Sequence, residues 1–140
     1  MIVLDTSGLL AAIDADQRMH ADASAALLAA PSPLVLSPFV LAELDYLLAT
    51  RVATPAQMAL LDEVAAGAYT LAPFAAADVR EARQVMNRYA DLELGLVDAS
   101  IVVLARRYET RDVLTLDERH FRAVRGHRGR PFRLLPADMP

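Results

Sequence analysis

Three short apolar runs each stop at polar residues from which a helix or turn can start. Ile2-Val3-Leu4 runs into Asp5, Leu34-Val35-Leu36 into Ser37, and Val113-Leu114 into Thr115-Leu116-Asp117. A strand with one wet face alternates apolar and polar residues, whereas a strand buried on both faces reads as an unbroken apolar run. These runs are therefore expected to be interior strands, at 2–5, 34–37 and 112–117, with further strands at 69–72 and 132–135. Helical patterns fill the intervals. One helix starts at Ser7, one spans 19–30, and others cover 76–89 and 97–108. Ser37-Pro38 and Thr54-Pro55 each pair a capping residue with proline at the first helical position. They are expected to open helices reaching about Arg51 and about Ala66. Strands that alternate with helices predict an α/β fold, a single domain over residues 1–140 with a mostly parallel sheet of about five strands. In such sheets, ligands gather at the carboxyl ends of the strands.

The uncharged stretch 23–42 is long enough to imitate a membrane span, but Pro31, Pro33 and Pro38 divide it into helix, turn and strand. The start, Met1 to Gly8, has no basic segment before Asp5, so no secretory leader is read and a cytoplasmic, membrane-free protein is expected. There is no cysteine, which removes thiolate metal sites and disulfides. Hydrophobic residues make up 55% of the chain. That exceeds the roughly 45–50% typical of soluble domains and implies an apolar face that associates.

Four acids fall at the expected carboxyl edge of the sheet. Asp5 ends the first strand, Asp117 ends the fourth, Asp98 lies in the first turn of its helix, and Glu43 lies in the first turns of the helix opened by Ser37-Pro38. Taken singly, each has a plain alternative: Asp5 as a helix cap, Asp98 as a first-turn acid facing the helix dipole, Asp117 as a turn residue. Glu43 has apolar or aromatic neighbours one turn away in Phe39, Val40, Tyr46 and Leu47. Asp45, its rival on the same helix, points about 200° away, so only one of the two serves a common site. Together the four repel: a like-charged pair at 4 Å costs about 4 kcal/mol at an effective dielectric of 20. Protonation or a cation relieves this. A donor set of oxygens without cysteine or paired histidines selects hard ions such as Mg²⁺ or Mn²⁺. His20, His120 and His127 show no metal-ligand spacing and are read as surface or RNA-facing groups. Carboxylate-held Mg²⁺ keeps positions for water and phosphate oxygens, which is the chemistry of phosphodiester hydrolysis.

The segments around these acids, "IVLDTSGLLA", "LSPFVLAELDYLL", "YADLELGLVDASIVVLARR" and "VLTLDERHF", resemble in this order the PIN-domain ribonucleases, most closely the VapC-type toxins of toxin–antitoxin pairs. The resemblance spans nearly the whole chain. It implies a three-layer α/β/α fold and a Mg²⁺- or Mn²⁺-dependent endoribonuclease. Its catalytic and metal-binding acids would be Asp5, Glu43, Asp98 and Asp117. It further implies support of the site by Thr6, Ser7 and Thr115, a carboxylate oriented by Ser100, and a peripheral Asp91. A homodimer and a VapB-like antitoxin are the implied partners, with RNA as substrate. The alternative is an inactive module of the same fold that only binds RNA or protein. A receiver domain would need a lysine, and the chain has none; a haloacid-dehalogenase-like phosphatase would need an acid where Ser7 stands.

The net charge of −4 argues against an RNA partner until its distribution is read. Residues 1–105 hold five Arg and thirteen acids, net −8, while residues 106–140 hold nine Arg and five acids, net +4. Arg119, Arg122, Arg125, Arg128 and Arg130 are thus candidates for a phosphate track leading to the carboxylates, or else form a solvated or antitoxin-docking face.

Overall fold

The computed structural model describes residues 1–140. Five strands, β1 (Ile2–Leu4), β2 (Leu34–Leu36), β3 (Thr70–Leu71), β4 (Asp112–Leu114) and β5 (Arg133–Leu135), form one sheet in the order β3-β2-β1-β4-β5. Every ladder is parallel, and Leu4 stands level with Leu36 on one side and Leu114 on the other. The helices are α1 (Thr6–Ile13), α2 (His20–Ala29), α3 (Pro38–Leu47), α4 (Thr54–Ala65), α5 (Ala76–Arg88), α6 (Leu96–Arg107) and α7 (Glu118–Ala123). This is the expected α/β fold. No helix is long and apolar enough to cross a membrane.

Successive strand residues point to opposite faces. All three residues of β1 are buried, so both faces of the sheet are covered. α2 lies against β4 and α6 against β1; α1 packs on α2, and α5 on α6. The central helix is α6, buried continuously from Ala99 to Ala105. That burial explains why "ASIVVLA" lacks the polar stripe of a surface helix.

Local signals place the ends of these elements. The Ser37 hydroxyl accepts a hydrogen bond from the Phe39 amide at 3.2 Å, with Pro38 at the first position, as expected of this cap. The α3 rod continues as a π-helical segment over Leu48–Val52. The second signature is corrected: Ala53 holds the cap position of α4, and Thr54 is already helical without a side-chain cap. All five strands are shorter than expected: Asp5, Ser37 and Asp117 hold the cap positions of the helices that follow, and Tyr69, Ala72, Thr115, Leu116 and Phe132 also lie outside the ladders.

Gly8 has a specific reason to be glycine. A Cβ there would overlap the Leu114 carbonyl and stand 2.8 Å from the Thr115 nitrogen. The first turn of α1 thus lies directly on the end of β4. The Asp5 amide donates to the Leu114 carbonyl at 2.9 Å, which joins the ends of β1 and β4.

Candidate active site

The strand order reverses at β1, with β2 on one side and β4 on the other, and a crevice opens at the carboxyl edge there. A cleft of about 290 Å³ occupies this position, lined by Asp5, Thr6, Ser7, Leu10, Glu43, Leu47, Asp98 and Asp117. All four acids singled out in the sequence line it, and no basic side chain does. A larger hollow of about 390 Å³, between Met19 and Pro140, has Asp22 as its one ionisable side chain and carries no comparable cluster.

Asp5 is the buried member, 5% exposed. It holds the cap position of α1, yet its side chain makes no cap hydrogen bond. Its Oδ2 instead accepts from the Thr115 hydroxyl at 2.6 Å and the Ser7 hydroxyl at 2.8 Å. Burial pushes its pKa from 3.8 to about 6 against the lowering effect of these hydroxyls, and the charge of Asp98 adds to the rise. The two hydroxyls also reach forward along the chain. Ser7 Oγ accepts from the Leu116 amide at 2.9 Å, and Thr115 Oγ1 from the Asp117 amide at 2.9 Å. Ser7 and Thr115 therefore couple Asp5 to the loop that carries Asp117.

The other three acids are wetter. Glu43 is exposed, in the second turn of α3, so its apolar helical neighbours do not enclose it. Asp45 turns elsewhere, accepting from Gln57 Nε2 at 2.7 Å. Asp98 is in the first turn of α6; burial raises its pKa, opposed by His120 and reinforced by Asp117 and Glu43. Asp117 caps α7, its Oδ1 accepting from the His120 amide at 3.0 Å. Its role as a cap and its place in the cleft coexist.

Three expectations need correction. Ser100 does not orient a carboxylate: its hydroxyl donates to the Val97 carbonyl at 2.6 Å and lies 2.8 Å from Ser37 Oγ, tying α6 to the start of α3. His120 is not a free surface group, since its Nδ1 lies 2.9 Å from Asp117 Oδ2 and 3.5 Å from Asp98 Oδ2. The sequence expectations contain no helix after Asp117, and the six-residue α7 is what turns His120 back to the cleft. A helix this short shows less than two turns of periodicity, so only its capping aspartate was visible in the sequence.

Thr6 lines the cleft with a buried hydroxyl that has no hydrogen-bond partner. An oxygen left unsatisfied beside four carboxylates suits a site that receives a cation or water. Asp91 is exposed, in the turn before α6. The five candidate arginines, Arg119, Arg122, Arg125, Arg128 and Arg130, are all exposed. Arg122 is engaged with Asp138 at 2.7 Å and Glu118 at 2.8 Å. Arg125 donates to the carbonyls of Arg122 and Val124, and Arg119, Arg128 and Arg130 form no ion pair.

Residues 2–126 match the PIN domain family. The chain is 47% identical over 135 residues to ribonuclease VapC26 of Mycobacterium tuberculosis, a span of 96% of this chain and 100% of that protein. Among solved structures, it is similar to VapC20 of Mycobacterium tuberculosis, a sarcin-ricin loop cleaving toxin, with a TM-score of 0.79 at 23% identity over 85% of this chain and 92% of that one. It is also similar to VapBC2 from Rickettsia felis, solved bound to a DNA fragment from their promoter, with a TM-score of 0.66 at 20% identity over 96% of this chain and 98% of that one. At these identities the solved structures speak for the fold, and the sequence match speaks for the family. The acidic crevice where the strand order reverses thus sits in a chain that belongs to the PIN-domain family, among the VapC ribonucleases.

Proposed function

We propose that this chain, acting as one PIN unit, is a divalent-cation-dependent endoribonuclease and the toxin of a toxin–antitoxin pair. The observation that carries the reading is the convergence of Asp5, Glu43, Asp98 and Asp117 on one cleft with no basic side chain in its lining. These acids would hold the cation, Mg²⁺ or Mn²⁺. When bound, the ion supplies Lewis acidity, activating water for attack and steadying the leaving oxygen of a phosphodiester. Ser7 and Thr115 fix Asp5 in one orientation, and their bonds to the Leu116 and Asp117 amides hold the opposite wall at a set distance. Glu43 and Asp117, more open to solvent, face the side from which an RNA strand enters. Arg119, Arg128 and Arg130, without intramolecular ion pairs, are the arginines best placed to meet phosphates, whereas Arg122 serves α7.

Association follows from the surface. Leu28, Tyr46, Met58, Leu71 and Val79 are large apolar side chains left exposed, at 43–85% of their full area. A homodimer and an antitoxin with an apolar helix would cover such residues, and the similarity to VapBC2 of Rickettsia felis supports the antitoxin partner.

The test is Asp98→Asn, which keeps shape and removes charge. The folded variant should bind Mn²⁺ more weakly and lose RNA cleavage while still binding RNA. Each phosphate it contacts should add about −0.7 to the slope of log affinity against log salt, and converting Arg119, Arg128 and Arg130 to Gln should flatten that slope. Cleavage at the wild-type rate by folded Asp98→Asn would sink the proposal.

A further inference from the structure

We propose that His120 supplies an imidazole nitrogen to the cation position between Asp98 and Asp117, and that this ligand makes the position favour a transition-metal ion such as Mn²⁺ over Mg²⁺. The inference rests on the reading of the cleft as a cation site and changes its chemistry from all-oxygen to mixed nitrogen and oxygen.

Three observations converge. One ligand atom each from Asp98, Asp117 and His120 lies within 4.8 Å of the other two. The two short separations, 2.9 Å from His120 Nδ1 to Asp117 Oδ2 and 3.5 Å to Asp98 Oδ2, bracket the spacing of neighbouring donors around one ion. With metal–ligand bonds of about 2.1 Å, adjacent octahedral donors stand about 3 Å apart. His120 Nδ1 is a buried atom, and despite its proximity to two carboxylates it is aligned for a hydrogen bond with neither. Buried ring nitrogens are normally satisfied, so an unaligned one beside two carboxylates points to an absent partner. The ring is also held in place. Its backbone amide donates to Asp117 Oδ1 at 3.0 Å, and the next residue, Phe121, is buried edge-on against Phe132 at 6.1 Å between ring centres.

Mn²⁺ accepts an imidazole nitrogen among oxygen donors, and the later divalent ions do so more strongly, whereas Mg²⁺ is held by oxygen donors. A carboxylate pair with one imidazole is accordingly a site that discriminates between the two ions, whereas four carboxylates alone discriminate little.

Pulsed EPR of the full-length protein loaded with Mn²⁺ tests this without reference to catalysis. Wild-type protein should show hyperfine coupling to a directly bound nitrogen, which changes isotope signature when histidine is labelled with ¹⁵N. His120→Gln should still bind Mn²⁺ but lose the coupling, and its preference for Mn²⁺ over Mg²⁺ in competition titrations should fall several-fold. His20→Gln and His127→Gln should keep the coupling. Bound Mn²⁺ without histidine nitrogen coupling in the wild type, or coupling that survives in His120→Gln, overturns the proposal. Such a result leaves the cation site itself standing, because that reading fails separately, if Asp98→Asn binds Mn²⁺ as tightly as the wild type.

Discussion

The two walls of the cleft carry the same kind of charge and are built by opposite means. On the β1 wall, Asp5 is nearly sealed from solvent and anchored by two hydroxyls, one of them from a residue 110 positions away. On the α7 wall, Asp117 and His120 sit on a short helix. That helix is pinned at one end by its own cap and on its outer face by Arg122, which bridges Glu118 and Asp138 in solvent. A buried carboxylate must be paired, protonated or matched by donors. A surface ion pair contributes little and is screened by salt. The first wall is therefore expected to set where a cation binds, and the second to adjust which cation and how tightly.

The largest break in this contrast is Asp5→Asn. The Asp5 carboxyl, raised from 3.8 to about 6, holds its proton more tightly in the folded than in the unfolded chain. In the cation-free protein this favours folding fully below about pH 4, and the advantage is lost as pH rises through about 6. The loss amounts to about 3 kcal/mol. The asparagine variant has no such loss. Without cations it should melt above the wild type at pH 7.5, the difference should vanish below about pH 4, and cleavage should be absent. Equal melting temperatures across this range would show that Asp5 is compensated within the protein.

Thr115→Val comes next. It removes the 2.6 Å donor to Asp5 and the acceptor of the Asp117 amide in one step. Leaving buried polar groups without partners costs about 1–3 kcal/mol. Thermal melts should show that loss, and the pH at which cation-free stability falls should move upward, since a hydroxyl that lowers the Asp5 pKa is gone. An unchanged pH profile would mean that Ser7 alone fixes the carboxylate.

The smallest effect is expected for Arg122→Gln on the outer wall. Arg122 is exposed, so melting temperature should barely move, and Mn²⁺ affinity by titration should fall by less than about fivefold. A loss as deep as that of Thr115→Val would erase the distinction between the walls.

Much of this was legible in the chain because it depends on neighbours in sequence. Unbroken apolar runs marked β1, β2 and β4, since a strand covered on both faces has no polar period. Ser37-Pro38 marked the start of α3, because a cap and its helix are adjacent by construction. The four acids stood out since each lies just past a strand or within the first two turns of a helix, and the carboxyl edge of a parallel sheet gathers such ends. What tertiary structure alone decided depends on distance through space. Ser100 meets Ser37 across 63 positions, and Thr115 meets Asp5 across 110, pairings set by strand order rather than local pattern. The freedom from a side chain at Gly8 has meaning only once α1 lies on the end of β4. His120 joined the acids because a helix too short to show a period turns it back beside Asp98 and Asp117. The sequence by itself determined which residues could be strand ends, caps and charges, since those are properties of a few adjacent residues. Only the folded sheet decided which of them meet, and therefore which carboxylates, Asp5 above all, are buried enough to change their acidity.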